Sequence, residues 1–173
     1  MESPLSLEPV LARHAHILAS VEAFEALVSG DRPPRVEGLG FRRWSLTRDL
    51  MLHFARMEGQ FYAPIMRNAT GDVANRAGQA SAETAALVSD FREHVGRWAT
   101  FPGEEQWDTY RRSILWLAGR VRNRLEAEAR DLVTMTRSLP EVDASRGPHQ
   151  AYVADCWEIR ELLFPSGATF GTA

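Results

Sequence analysis

The stretch Tyr110–Met135, YRRSILWLAGRVRNRLEAEARDLVTM, decides the fold class. At about 100° per residue, its large apolar side chains share one helical face: Tyr110, Ile114, Leu117, Val121, Leu125, Leu132 and Met135. Glu128 lies in the middle of this face, and Arg124 lies one turn earlier on its flank. A carboxylate on a core face costs free energy unless it is paired, hydrogen-bonded or bound to a metal. The stretch therefore predicts an amphipathic helix with a polar site on its buried side.

Similar apolar spacing predicts three more long helices, and no segment has the alternating pattern of a strand. Gly30, the polar segment Asn68–Ala80 and the Pro102-Gly103 turn separate them. Gly59 and Pro64 predict a kink or break near the end of the second helix. The predicted ranges are Leu7–Ser29, Gly40–Met66, Ser81–Thr100 and Glu104–Ser138. Long amphipathic helices with modest loops are typical of an all-α, antiparallel four-helix bundle.

The chain divides into a bundle over residues 1–138 and a C-terminal tail over residues 139–173, after Pro140 ends the last long helix. Within the tail, Gln150–Leu163 predicts a short amphipathic helix. It has more large apolar groups than a free tail should expose. Packing back on the bundle is one interpretation, and docking in the groove of a partner protein is the other. The candidate partner-binding residues are Tyr152, Cys156, Trp157, Ile159 and Leu163.

Composition excludes several functional classes. The 173-residue chain has a net charge of −3 and scattered basic residues, so nucleic acid is not an expected partner. The chain contains one cysteine, which suits a reducing compartment, and no cleavable leader is recognisable at its start. Its longest apolar run is too short to span a bilayer. We therefore expect a cytoplasmic protein that has no membrane partner.

Histidines lie on three of the predicted helices. His14 is central on the apolar face of the first helix, and His16 points the opposite way. His53 and His94 lie at the edges of their apolar stripes, while Glu58 lies on the other flank from His53. Each has an ordinary structural interpretation, as a hydrogen-bonded core residue or a boundary residue.

Together with Glu128, these residues are the candidate ligands of a metal site. Helical bundles build metal sites from histidine and carboxylate side chains on facing helices. Such a set would suit Fe, Zn or Mn at one site. The alternative is a core ion pair between Arg124 and Glu128, which their spacing of four residues allows.

Three segments resemble the hemerythrin-like family, also called HHE cation-binding domains. Arg13–Leu18 is similar to that family's first ligand segment, with His14 in the ligand position. Leu52–Pro64 resembles the second-helix pattern His-x-x-x-Glu-Glu followed by an aromatic residue and Pro. Arg124–Leu132 resembles the equivalent segment of the last helix, and His94 lies where a third-helix ligand can lie. The resemblance covers residues 7–138 and implies a four-helix bundle that binds iron.

The chain departs from the family pattern at two ligand positions. Met57 replaces the glutamate of the second helix, with Glu58 one residue late, and Arg124 replaces a histidine. A di-iron centre needs bridging carboxylates and a nearly full histidine set, whereas a permanent Arg124 cation can balance Glu128 without a metal. The resemblance implies a degenerate member, with no cofactor or with a single iron.

The first functional hypothesis is a non-enzymatic sensory or regulatory protein that acts by binding a partner protein, with a homodimer also allowed. One alternative is a working iron-binding carrier or sensor of oxygen or redox state. The other alternative is a histidine phosphotransfer protein. It would use an exposed His53 near Arg56 and Gly59, or an exposed His94 near Gly96 and Arg97.

Overall fold

The protein is all-helical over the residues that its structure, a computed structural model, describes: 7–34, 39–100, 102–136 and 160–161. α1 packs against α2 and α5, and α4 packs against α3 and α5. The helices are α1 (Glu8–Val28), α2 (Leu39–Met57), α3 (Ala63–Asn68), α4 (Gly71–Arg97) and α5 (Trp107–Thr136), with a π-helical segment at Glu58–Tyr62 and a 3₁₀ turn at Glu104–Gln106.

The apolar stripes of the long helices form the core. On α5 the predicted inward residues are buried, apart from the half-buried Ile114, and on α4 Leu87 and Phe91 are buried. On α1 the buried face includes His14, Ile17 and Val21, whereas Leu11 is 45% exposed. The four long helices α1, α2, α4 and α5 all contribute side chains to one central apolar cluster. A polar side chain buried in this cluster costs free energy unless it has a hydrogen-bond or charge partner.

The predicted loop Asn68–Ala80 is wrong, because α4 already begins at Gly71. Ala77 and Ala80 are buried against Phe61 and Ile65, so small residues form the core face of this first part of α4. Alanine has the highest helix propensity, and the polar residues between them face solvent. The prediction failed because it looked for large apolar side chains at helical spacing, and this stretch has few.

The predicted break near Gly59 and Pro64 is present as the π-helical segment Glu58–Tyr62. Pro64 has no N–H, so it cannot donate the α-helical hydrogen bond to the carbonyl four residues earlier. The Ala63 N–H instead bonds the Glu58 carbonyl, five residues earlier. This shift of register turns the residues that follow relative to the face of α2, and it sets the direction of Tyr62.

The predicted C-terminal helix falls almost entirely outside the described residues. Arg160 and Glu161 are described there, and both are helical. The candidate partner-binding residues Tyr152, Cys156, Trp157, Ile159 and Leu163 lie outside the described ranges. Among the residues that the structure does describe, no helix combines the length and the apolar character needed to cross a bilayer.

Candidate metal centre in the helical core

Three side chains from three helices meet in the core: His14 of α1, His53 of α2 and Glu128 of α5. Their candidate ligand atoms all lie within 4.8 Å of one another, and all three residues are buried. His14 is 5% exposed, His53 is 4% exposed and Glu128 is fully buried. The central positions of His14 and Glu128 on their stripes predicted this burial, whereas His53 lies deeper than its place at the edge of a stripe indicated.

Both imidazoles approach the same oxygen of Glu128. His53 Nε2 lies 2.6 Å from Oε2, at hydrogen-bonding distance. His14 Nε2 lies 3.0 Å from the same oxygen, but it makes no hydrogen bond with any residue that the structure describes. The two rings pack edge to face with centroids 4.9 Å apart. Two imidazole nitrogens therefore approach one carboxylate oxygen.

Tyr62 holds the other oxygen of Glu128. Its hydroxyl donates to Oε1 at 2.6 Å. Burial and the negative charge of Glu128 raise the pKa of Tyr62 far above its ordinary value, so the phenol keeps its proton and donates. Sequence reasoning missed this residue. On an uninterrupted α-helix, nine residues after His53, Tyr62 would lie about 180° away from it, and the π-helical segment removes that relation.

The predicted direct ion pair between Arg124 and Glu128 is wrong. Arg124 Nη1 lies 2.6 Å from Oε2 of Glu83, and Nη2 lies 3.9 Å from Oδ2 of Asp131. Nη2 also lies 3.5 Å from the Tyr62 hydroxyl, which stands between the guanidinium and Glu128. Arg124 thus pairs with an acid on the neighbouring helix α4 and with an acid further along α5, while the Tyr62 phenol binds the near oxygen of Glu128.

Glu128 is ionised despite its burial. Loss of water raises the pKa of a buried carboxyl group, but the contacts from His14, His53 and Tyr62 outweigh that effect and lower the pKa of Glu128 to about 2. The site therefore presents a permanent carboxylate beside two imidazoles. A metal ion requires this protonation state of its oxygen ligand.

Two imidazole nitrogens and one carboxylate oxygen are the kinds of ligand atom that Fe²⁺ and Zn²⁺ take in proteins. Bonds of about 2.1 Å place neighbouring ligand atoms about 3.0–3.4 Å apart. The separation of 3.0 Å at His14 already agrees with that range. The separation of 2.6 Å at His53 has to widen by a few tenths of an ångström. His14 Nε2, which makes no hydrogen bond among the described residues, is an atom that a metal ion would coordinate.

Two predicted ligands lie outside this cluster. Glu58 is buried, but its Oε2 accepts a hydrogen bond from the Ser81 hydroxyl at 2.8 Å. His94 is buried elsewhere, with Nδ1 2.8 Å from the Ser113 hydroxyl. His16 is exposed, as predicted, and lies 3.4 Å from Asp49. The predicted set of candidate ligands is thereby reduced to His14, His53 and Glu128.

Burial of His53 and His94 also bears on phosphotransfer. That activity needs an imidazole that a partner's phosphoryl group can reach, and these side chains are 4% and 7% exposed. Neither candidate therefore has the required access.

Comparisons with protein-family models, with curated proteins and with solved structures found no match to this chain. The functional interpretation therefore depends on the chain's own residues and their geometry.

Proposed function

We propose that this protein is a degenerate hemerythrin-like, antiparallel four-helix bundle that binds one divalent metal ion, through His14, His53 and Glu128. The supporting observation is the approach of two imidazole Nε2 atoms to one carboxylate oxygen, at 2.6 and 3.0 Å. Two histidines and one carboxylate with open positions are typical of non-haem Fe²⁺ sites. We propose iron as the natural metal.

A single metal agrees better with the surroundings than a pair. A second metal would need Glu128 as a bridge, but its Oε1 is hydrogen-bonded to Tyr62. Arg124 lies just beyond that phenol and adds a positive charge that would repel another cation. Met57 replaces a carboxylate and is 1% exposed, so it fills that part of the core with an apolar side chain. The Tyr62–Arg124 pair takes the place of a second ion.

The role that fits an enclosed site is sensing rather than catalysis. The three ligand residues are at most 5% exposed, so a substrate has no direct access to them as the helices lie. Small species such as oxygen or an electron can still affect a buried iron, and the metal supplies that redox chemistry. Binding joins α1, α2 and α5, so occupancy would change the stability of the bundle as a whole. A partner protein, docked on the bundle or on the tail, would report that change.

The direct test is the metal content and spectrum of protein purified without a histidine tag. We expect one Fe²⁺ or Co²⁺ per chain under anaerobic titration, with Co²⁺ absorption bands typical of mixed nitrogen and oxygen ligands. His53→Ala and Glu128→Gln should abolish stoichiometric binding. His16→Ala is the matched control, because His16 lies on the same helix as His14 but is exposed.

Two results would overturn the proposal. Two irons per chain with oxo-bridge absorption would mean a complete di-iron centre. If the wild-type chain is folded but binds no metal, the cluster of His14, His53 and Glu128 has only a structural role in the core.

A further inference from the structure

A second polar site lies in the core, away from the metal ligands. A cavity of about 40 Å³ opens among side chains of α1, α2, α4 and α5. Most of its lining is apolar, including Val21, Phe24, Leu50 and Val121. Arg43 and His94 also line it, and each is 7% exposed. A cavity with an apolar body and a few convergent polar groups is the usual form of a small-molecule site.

Arg43 has no acidic partner among the residues that the structure describes. Its Nη2 donates to the Trp98 carbonyl at 3.0 Å, and its guanidinium lies 5.7 Å above the Tyr110 ring. Arg43 is 7% exposed, and this burial lowers the pKa of its guanidinium. Glu25 also lines the cavity, but Arg122 binds both of its oxygens. Burying a cation without a counter-ion costs free energy, so an anion that pairs with Arg43 in this cavity would be stabilised.

His94 provides a second polar atom at the same cavity. Its Nδ1 lies 2.8 Å from the Ser113 hydroxyl, whereas its buried Nε2 has no hydrogen-bond partner within the described part of the chain. Burial, with the charges of Arg43 and Arg97, lowers the pKa of His94 to about 4, so the ring is neutral at physiological pH. When Ser113 donates to Nδ1, the ring proton resides on Nε2 and makes it a hydrogen-bond donor.

We propose that this cavity binds a small monocarboxylate with a short apolar chain. The carboxylate would pair with Arg43 and accept a hydrogen bond from His94 Nε2, and the chain would lie among the aliphatic side chains. One guanidinium and one neutral imidazole match a single negative charge rather than a phosphate dianion. A volume of 40 Å³ corresponds to about three water molecules. The ligand is therefore small, about the size of acetate or propionate.

The test is a titration of the full chain with acetate, propionate and butyrate, and with the matching neutral amides, followed by calorimetry or by amide shifts in NMR. We expect saturable binding of one acetate or propionate per chain, and binding of the amides that is weaker by at least about tenfold. Arg43→Gln and His94→Leu should each weaken binding of the acid by a similar factor. Arg42→Gln, at the exposed neighbour of Arg43, should leave it unchanged.

Thermal unfolding of Arg43→Gln and His94→Leu without ligand shows whether each variant is folded at the temperature of the titration, so that lost binding reports on the site. Three results would overturn the proposal: amides that bind as well as acids, acid binding that survives in folded Arg43→Gln, or the absence of saturable binding by the wild-type chain. Metal-ligand variants should still bind the acid, so failure here and failure of the metal site are distinguishable.

Discussion

At Glu128, burial and specific contacts act in opposite directions on one carboxyl group. Loss of water favours the neutral acid, yet two imidazoles and a phenol surround both oxygens and favour the anion. The net result is a pKa of about 2 in a fully buried residue. Such a group couples stability to pH, since the unfolded chain offers none of these contacts.

We therefore expect Glu128 to make stability depend on acid pH. The folded pKa of about 2 lies below the ordinary value of 4.5. Its contribution is thus complete above pH 4.5 and is lost as the pH falls towards 2. At most it amounts to about 3 kcal/mol. Chemical denaturation of metal-free protein across this range should show the advantage of wild type over Glu128→Gln shrinking with acid. Glu126→Gln, exposed on the same helix, should show no such convergence.

Tyr62 should contribute to stability mainly through Glu128. Removing its hydroxyl in Tyr62→Phe deletes a hydrogen bond to a charged acceptor, which costs about 1.5–3 kcal/mol in the free energy of unfolding. A double-mutant cycle with Glu128→Gln, measured by urea denaturation of metal-free protein, separates this bond from general packing. The loss should be smaller in the Glu128→Gln background. Equal losses in both backgrounds would mean that the Tyr62–Glu128 bond contributes nothing specific.

On the scale of elements, the π-helical segment and the start of α4 show where sequence reasoning stops. Gly59 and Pro64 predicted an interruption, but they did not predict that Tyr62 would turn towards Glu128. A helical wheel assumes a constant angle per residue, and the π-helical segment changes that angle. The start of α4 was missed because Ala77 and Ala80 form its core face. A small residue signals a close helix contact only once the neighbouring helix is known.

Gly71 should be required for the sharp entry into α4. Its φ is +65°, directly after the extended Thr70, and a Cβ there would meet no atom within 4 Å. The cost of Gly71→Ala is therefore purely conformational, about 1 kcal/mol. Gly119→Ala is the matched control, because Gly119 lies inside α5, has no positive φ and is equally open. It should stabilise by about 0.5–1 kcal/mol. Thermal unfolding measures the melting temperatures of both variants, and we expect them to shift in opposite directions. Shifts of the same sign would contradict this explanation.

On the scale of the molecule, the sequence predicted the helical class and the burial of His14 and Glu128 correctly. Those features follow from local periodicity, which one helix alone displays. The grouping of candidate ligands does not, because it depends on how far along each helix a residue lies when the helices pack. His94 and Glu58 looked equivalent to His53 in sequence, but Ser113 and Ser81 bind them elsewhere. The burial of Arg43 was likewise not predicted, because it depends on how the helices pack.

Metal binding should stabilise the whole bundle, because the ligands come from helices that lie far apart in sequence and the unfolded chain does not bring them together. At a free metal concentration about a hundred times the dissociation constant, the free energy of unfolding should rise by about 2.7 kcal/mol. For a chain of this size, that corresponds to a melting temperature higher by about 5–10 °C. Chelation should reverse the rise, and Glu128→Gln should lack it, while His16→Ala should retain it. An equal rise in all three chains would show that the metal acts on the surface and not through His14, His53 and Glu128.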